Sequence, residues 1–243
     1  MKKTLLTMLC SGIMLVSIAA EQPAVIASTP WTAAFADIAG LDNVPSLAPA
    51  DMKHPPEYEL TVSDIREVSA AKFMIYAGYE RMMKTLADAS GTAVLVKINT
   101  DNSTATVESQ AELIAAQMHT EKACEERVAS YRKTVADGKA KAAAKGLASK
   151  KILVHAMQVY LAEDLGLTVT GTFGPGPATA AQIAKAKAAG YDIIIDNIHN
   201  PVAGPLAEVC PGARLVMWRN FPAETGRGAL ERVVQQNVAA LLK

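Results

Sequence analysis

The stretch from residue 107 to residue 145, VESQAELIAAQMHTEKACEERVASYRKTVADGKAKAAAK, decides how the rest of the chain is read. It contains no proline and a single glycine, Gly138, and is dominated by Ala, Glu, Gln and Lys, all strong helix formers. Apolar side chains recur at Leu113, Ile114, Met118, Cys124, Val128, Tyr131 and Val135, mostly three or four positions apart, which makes one apolar stripe along a helix. The polar positions carry both signs of charge, with Glu121, Lys122, Glu125, Glu126, Arg127 and Arg132 close together. At about 1.5 Å per residue an unbroken helix of this length is roughly 55–60 Å long, more than the diameter of a small domain. The stretch therefore reads as a strut joining two lobes. The alternatives are a long helix within one domain and a helix broken near Gly138.

Working outward, strand-like and helix-like segments alternate on both sides of the strut. On the N-terminal side, strands are expected at 24–28, 43–47, 72–76 and 94–98, with helices at 31–39, at 63–70 starting from a Ser63 cap, and after Gly78-Tyr79-Glu80. On the C-terminal side, strands are expected at 152–154, 168–173, 192–196 and 214–218, with helices at 156–165, 178–189 and 224–242. Alternation with short loops implies parallel sheets with crossover helices. The expected class is α/β, with two parallel-sheet lobes joined by one long backbone helix. Residues 1–20 form a targeting segment, 21–106 the N-terminal lobe, 107–147 the connecting helix and 148–243 the C-terminal lobe.

The first residues have the form of a secretory signal. Lys2 and Lys3 precede an apolar run at 5–18 that is short for a membrane span, and small residues near Ala19 and Ala20 offer a cleavage site. A soluble protein exported to a bacterial periplasm is expected, since Cys10 sits in a poor lipid-attachment context after Thr7-Met8-Leu9. Cleavage leaves Cys124 and Cys210, which read equally as a disulfide or as two separate buried thiols. With 24 basic and 24 acidic residues, nothing in the charge points to a nucleic-acid or membrane-surface partner.

Four histidines are present, His54, His119, His155 and His199. All but His119 lie at or just past the carboxyl end of an expected strand, where open α/β sheets place their ligand sites. His119 lies on the strut among charged residues and reads as solvated. Neutral imidazoles with a carboxylate suit Zn²⁺. Glu57, Glu59, Glu80 and Asp196 are the nearby carboxylates. Of these Glu80 follows a strand end, although a first-turn helix carboxylate is the plain alternative. Asp196 is a candidate brace for the loop bearing His199. No Gly-x-Ser-x-Gly, P-loop, Gly-x-Gly-x-x-Gly or His-Glu-x-x-His motif occurs, and the prolines of Gly174-Pro175-Gly176-Pro177 remove the donors a phosphate loop needs.

The arrangement of signal segment, α/β lobe, long helix and second α/β lobe resembles the zinc- and manganese-binding receptors of bacterial ABC transporters, the TroA-like family. The segment HPPEYELTVSDI at 54–65 is similar to that family's first ligand histidine and the stretch leading from it to a Ser-Asp helix start. Gly78-Tyr79-Glu80 is similar to its Gly-x-Glu stretch, and Lys151-Ile152-Leu153-Val154-His155 to the strand that delivers a histidine in the second lobe. Two stretches depart. Where the family has Asp-Pro-His-x-Trp, this chain has Thr100-Asp101-Asn102-Ser103-Thr104. Where the family has a ligand Asp after the last strand, it has Trp218-Arg219-Asn220. The family's frequent His-rich loop is also absent.

The resemblance implies a non-catalytic, monomeric receptor that holds a divalent metal between its lobes and delivers it to a permease in the inner membrane. The residues expected to hold the metal are His54, Glu80 and His155, which the resemblance supplies, and His199, which is read from its strand-end position and not from the family, with zinc as the expected metal and manganese the alternative. Two other functions fit the sequence. One is a receptor that has lost metal binding and carries another small ligand, such as a metal chelate. The other is an exported metal-dependent hydrolase, which needs an open coordination position and a general base.

Overall fold

The computed structural model describes residues 24–89 and 91–243; the targeting segment and Cys10 lie outside the described residues. The N-terminal lobe is built on a three-stranded parallel sheet of β1 (Val25–Ala27), β2 (Phe73–Tyr76) and β3 (Val94–Lys97), in that spatial order. Residues 43–47 do not form a strand and contribute only an isolated bridge between Ser46 and Ala27. Helix α1 (Pro30–Ile38) follows β1 at once. Thr29 caps it in a capping box with Thr32, and Pro30 occupies the first turn, where its missing N–H costs nothing. All nine residues of α1 are buried, so this helix runs through the core rather than over it. Helix α2 (Val62–Ala70) starts from a Thr61 cap reinforced by Asp64, two positions before the expected Ser63, and α3 (Met83–Ala89) follows the Glu80 turn.

The strut is two helices rather than one. Helix α4 (Thr104–Met118) ends at His119, whose φ of 58° and ψ of 44° put it in the left-handed region, and α5 (Glu121–Ala144) begins two residues later. The chain is turned at this point by packing on the N-terminal lobe. The Thr120 hydroxyl donates to the Ala39 carbonyl at 2.6 Å, and Gly40 lies so close to Ala123 and Thr120 that a side chain there has no room. Gly138, the break the sequence suggested, is an uninterrupted helical residue. A Cβ at that position meets Leu165 and Val238 at 2.8 Å, so glycine lets α5 approach its neighbours closely.

The C-terminal lobe carries a four-stranded parallel sheet in the order β5 (Val169–Phe173), β4 (Ile152–His155), β6 (Ile193–Asn197), β7 (Arg214–Trp218). The central strands β4 and β6 are buried throughout, while the edge strands β5 and β7 alternate between buried and exposed positions. Its helices are α6 (Val159–Asp164), α7 (Ala180–Ala189), α8 (Gly204–Val209) and α9 (Ala229–Leu242). The segment expected as one helix at 156–165 opens with a 3-10 turn (Ala156–Gln158), and α8 was not expected at all. Cys124 and Cys210 are separate buried thiols.

Helix α5 touches both lobes. On the N-terminal side the buried Arg127 guanidinium bonds Asp37 at 2.8 Å, Asp42 at 2.7 Å and the carbonyls of Asp37 and Leu41. On the C-terminal side α5 packs along α9. One hydrophobic cluster runs from Val25 and Phe35 through Tyr131 and Val135 to Trp218 and Leu241, so the two lobes share a core.

Candidate functional site

The carboxyl ends of both sheets face a cavity of about 280 Å³ between the lobes. Each of the four expected metal ligands sits within two positions of a residue lining it. His54 precedes Pro55, Glu80 follows Tyr79, His155 is two before Met157, and His199 precedes Asn200. Topology thus carries all four to one place, yet none of them lines the cavity. Among the described residues no group of three or more His, Cys, Asp or Glu side chains is arranged to hold a metal ion.

The reasons are local. Glu80 is 3% exposed, and its carboxylate is engaged by the Ser28 hydroxyl at 2.5 Å and the N–H groups of Ala77 at 2.8 Å and Gly78 at 2.6 Å. It braces the turn after β2 against the end of β1. His155 is fully buried, and its Nδ1 accepts the Met157 N–H at 3.1 Å, which assigns the proton of the neutral ring to Nε2. That Nε2 has no partner and lies against Gly174, where an added Cβ would stand only 2.6 Å away. Gly174 adopts a φ of 73° and has no side chain, which lets the ring fit there. Burial pushes the His155 pKa down, partly opposed by the nearby Asp196 carboxylate.

His199 stacks on Phe221 with ring centroids 3.5 Å apart and planes 20° apart, and its Nε2 is also buried without a partner. Burial, and then the Arg219 charge, push its pKa down to about 4, with His54 acting in the same direction. Asp196 fixes the loop that carries His199, accepting from the N–H of Asn197 at 2.8 Å and of Ala203 at 2.9 Å, the bracing role expected for it. His54 is half-buried at the start of the 3-10 turn Pro55–Glu57. Glu57, Glu59 and His119 are exposed.

The cavity wall is made by Trp31, Tyr79, Met157, Phe221 and the Pro55-Pro56 pair, with Thr29, Thr100, Asn197, Asn200 and Asn220 supplying the polar atoms. The two departing stretches meet beside it. The Asn102 amide accepts the Trp31 indole N–H at 3.0 Å and donates to the Asn220 carbonyl at 2.8 Å, while its own carbonyl accepts the Tyr131 hydroxyl at 2.8 Å. A hydrogen-bonded crossing from lobe to lobe therefore stands where the two stretches lack the family's donors. The aromatic wall and the Asn102 junction escaped the sequence reading. The available signal was that Trp31 and Phe221 are among the few aromatics of the chain and both follow expected strand ends.

No protein-family model matches the chain, and no curated protein matches it. Solved structures do. The laminin-binding protein Lmb of Streptococcus agalactiae, described as bifunctional with adhesin and metal transporting activity, superposes with a TM-score of 0.68 at 16% identity, over 90% of this chain and 98% of that one. The chain has the fold of these receptors. FpvC of P. aeruginosa in complex with Ni²⁺ gives a TM-score of 0.67 at 18% identity, over 90% and 94% of the two chains. A Zn(II)-bound variant of AdcAII from Streptococcus pneumoniae gives 0.63 at 15% identity, over 91% and 98%.

Proposed function

We propose that this chain is the exported binding receptor of an ABC importer and takes transition-metal cargo between its two lobes. One observation carries the metal class. At the sheet ends behind the cleft, two imidazoles, His155 and His199, each bury an Nε2 with no partner. An unpaired buried polar nitrogen costs about 1–3 kcal/mol, so these atoms gain from a ligand more than solvated ones do. The likeness to receptors described with Zn(II) and Ni²⁺ supports the same class. Within it, zinc held by His54, His155, His199 and Glu80 is the specific reading, with manganese the alternative. Assembling that sphere requires the loops after β2 and β6 to shift, because Glu80 must release its three donors and the His199 ring must leave Phe221. His155 must also move its proton from Nε2 to Nδ1, giving up the Met157 N–H, before Nε2 offers a lone pair to a metal. The receptor binds and releases; its partner is an inner-membrane permease, and its compartment the periplasm.

Calorimetric titration of Zn²⁺ into the metal-free mature protein tests the metal assignment. Affinity is expected to fall by at least about tenfold, the equivalent of 1.4 kcal/mol, in His155→Ala and His199→Ala and to stay unchanged in His119→Ala. Equal affinity in all of these variants removes the histidines from the site.

A further inference from the structure

The cavity between the lobes has a chemistry of its own. None of its lining residues is acidic, basic, His or Cys. Most of its polar atoms are already matched. The Tyr79 hydroxyl lies 2.9 Å from the Thr100 hydroxyl, the Asn200 amide donates to the Pro175 carbonyl at 2.6 Å, and the Asn197 amide oxygen accepts the His199 N–H at 3.1 Å. The exception is Asn220, 7% exposed, whose amide oxygen is buried with no partner. What remains is the apolar surface of Trp31 and Phe221, with ring centroids 6.0 Å apart, together with Met157 and Pro56. Until the loops that carry Glu80 and the histidines shift, a bare dication entering this space sheds its water and meets no charge to replace it. A flat apolar body meets surfaces of its own kind, since ligand sites combine an apolar wall with a few placed polar atoms.

We propose that the interlobe cavity binds a flat, uncharged organic molecule that lies against the Trp31–Phe221 pair. At about 280 Å³ the cavity falls just below the usual 300–1,000 Å³ range for drug-sized ligands, which points to a body the size of a bicyclic heteroaromatic. This deepens the receptor reading and rests on it.

The probe is 8-hydroxyquinoline, which is flat, uncharged at neutral pH, carries one O–H and binds Zn²⁺. It is titrated calorimetrically into the mature protein alone and as an equimolar mixture with Zn²⁺, and Zn²⁺ is titrated alone. Binding of the mixture alone, in which the probe has lost its O–H proton to Zn²⁺ and the complex is charged, overturns the proposal; saturable binding of the probe alone supports it. Phe221→Ala should weaken that binding by about tenfold or more. Met157→Trp places bulk at the cavity wall from a position 46% exposed and should abolish it, with an unchanged melting curve showing that this variant is folded. Failure of both forms of the probe to bind, or equal binding in folded Met157→Trp, overturns the proposal. Zn²⁺ binding alone with no response to either form overturns it too, while leaving the metal-receptor reading intact.

Discussion

Asn102 joins parts of the chain that lie far apart in sequence. Its side chain serves Trp31 from the first lobe and the Asn220 carbonyl from the second. Asn102→Ala leaves a buried indole N–H and a buried carbonyl unpaired, and at about 1–3 kcal/mol for each such group a loss of about 2–6 kcal/mol is expected in denaturant unfolding. His199 gives the pH dependence. Its folded pKa of about 4 lies below the ordinary imidazole value of about 6.5. The unfolded chain therefore takes up the proton first as pH falls. Stability of the metal-free protein should be level above about pH 6.5, decline between there and pH 4, and level again below, as far as this group is concerned. His155, shifted in the same direction, adds to the slope, and His199→Gln should flatten part of it in melts taken across that range. These residues also show what the sequence reveals about a site. The strand-end rule located the loops of His54, Glu80, His155 and His199, because strand ends follow from hydrophobic pattern. Where each side chain points does not follow from it. Glu80 turns inward because Ser28 and two backbone N–H groups wait there, and the His155 ring turns toward Gly174 because the Met157 N–H claims its other nitrogen.

Among elements, the broken strut is the instructive case. The apolar spacing of three and four runs along most of 107–145, so the helical content was legible, but no glycine or proline marks the break. The trace that existed is the six-residue gap between Met118 and Cys124, which brackets His119 and Thr120. A left-handed His costs about 1–2 kcal/mol relative to its preferred backbone, and glycine removes that strain but has more freedom to lose on folding. His119→Gly should therefore raise stability by about 0.5–1 kcal/mol, measurable as a shifted denaturation midpoint with unchanged slope. Gly138 tests the other end. Gly138→Ala gains about 1 kcal/mol of helix propensity but pushes Leu165 and Val238, so it should be nearly neutral. Gly138→Leu overfills the same space and should lose about 3 kcal/mol or more, with α9 displaced from α5. A strongly destabilised Ala variant would contradict this account of the contact. Helix α8 eluded the sequence for a simpler reason: its six residues include Gly204 and Pro205, which read as a turn.

At the scale of the molecule, the lobes are not independent. Arg127 reaches from α5 to Asp37 and Asp42, and removing it in Arg127→Met strands a buried carboxylate, at an expected cost of about 3–5 kcal/mol. Because one apolar cluster spans both lobes, the protein should melt in a single calorimetric transition whose van't Hoff and calorimetric enthalpies agree. Two separated transitions would show that the shared core contributes little. The two-lobe plan was legible from alternation on either side of the strut, whereas the shared core depends on contacts between residues more than a hundred positions apart, which no local pattern records. One of those contacts bears on how the protein comes into being. Helix α9, made after the other described helices, packs on α1, made before them, and the Gly228 N–H just before α9 bonds Asp37 within α1 at 2.7 Å. Until residue 242 or so has emerged, α1 lacks the surface that α9 and Gly228 give it, so the finished core closes only when both are present.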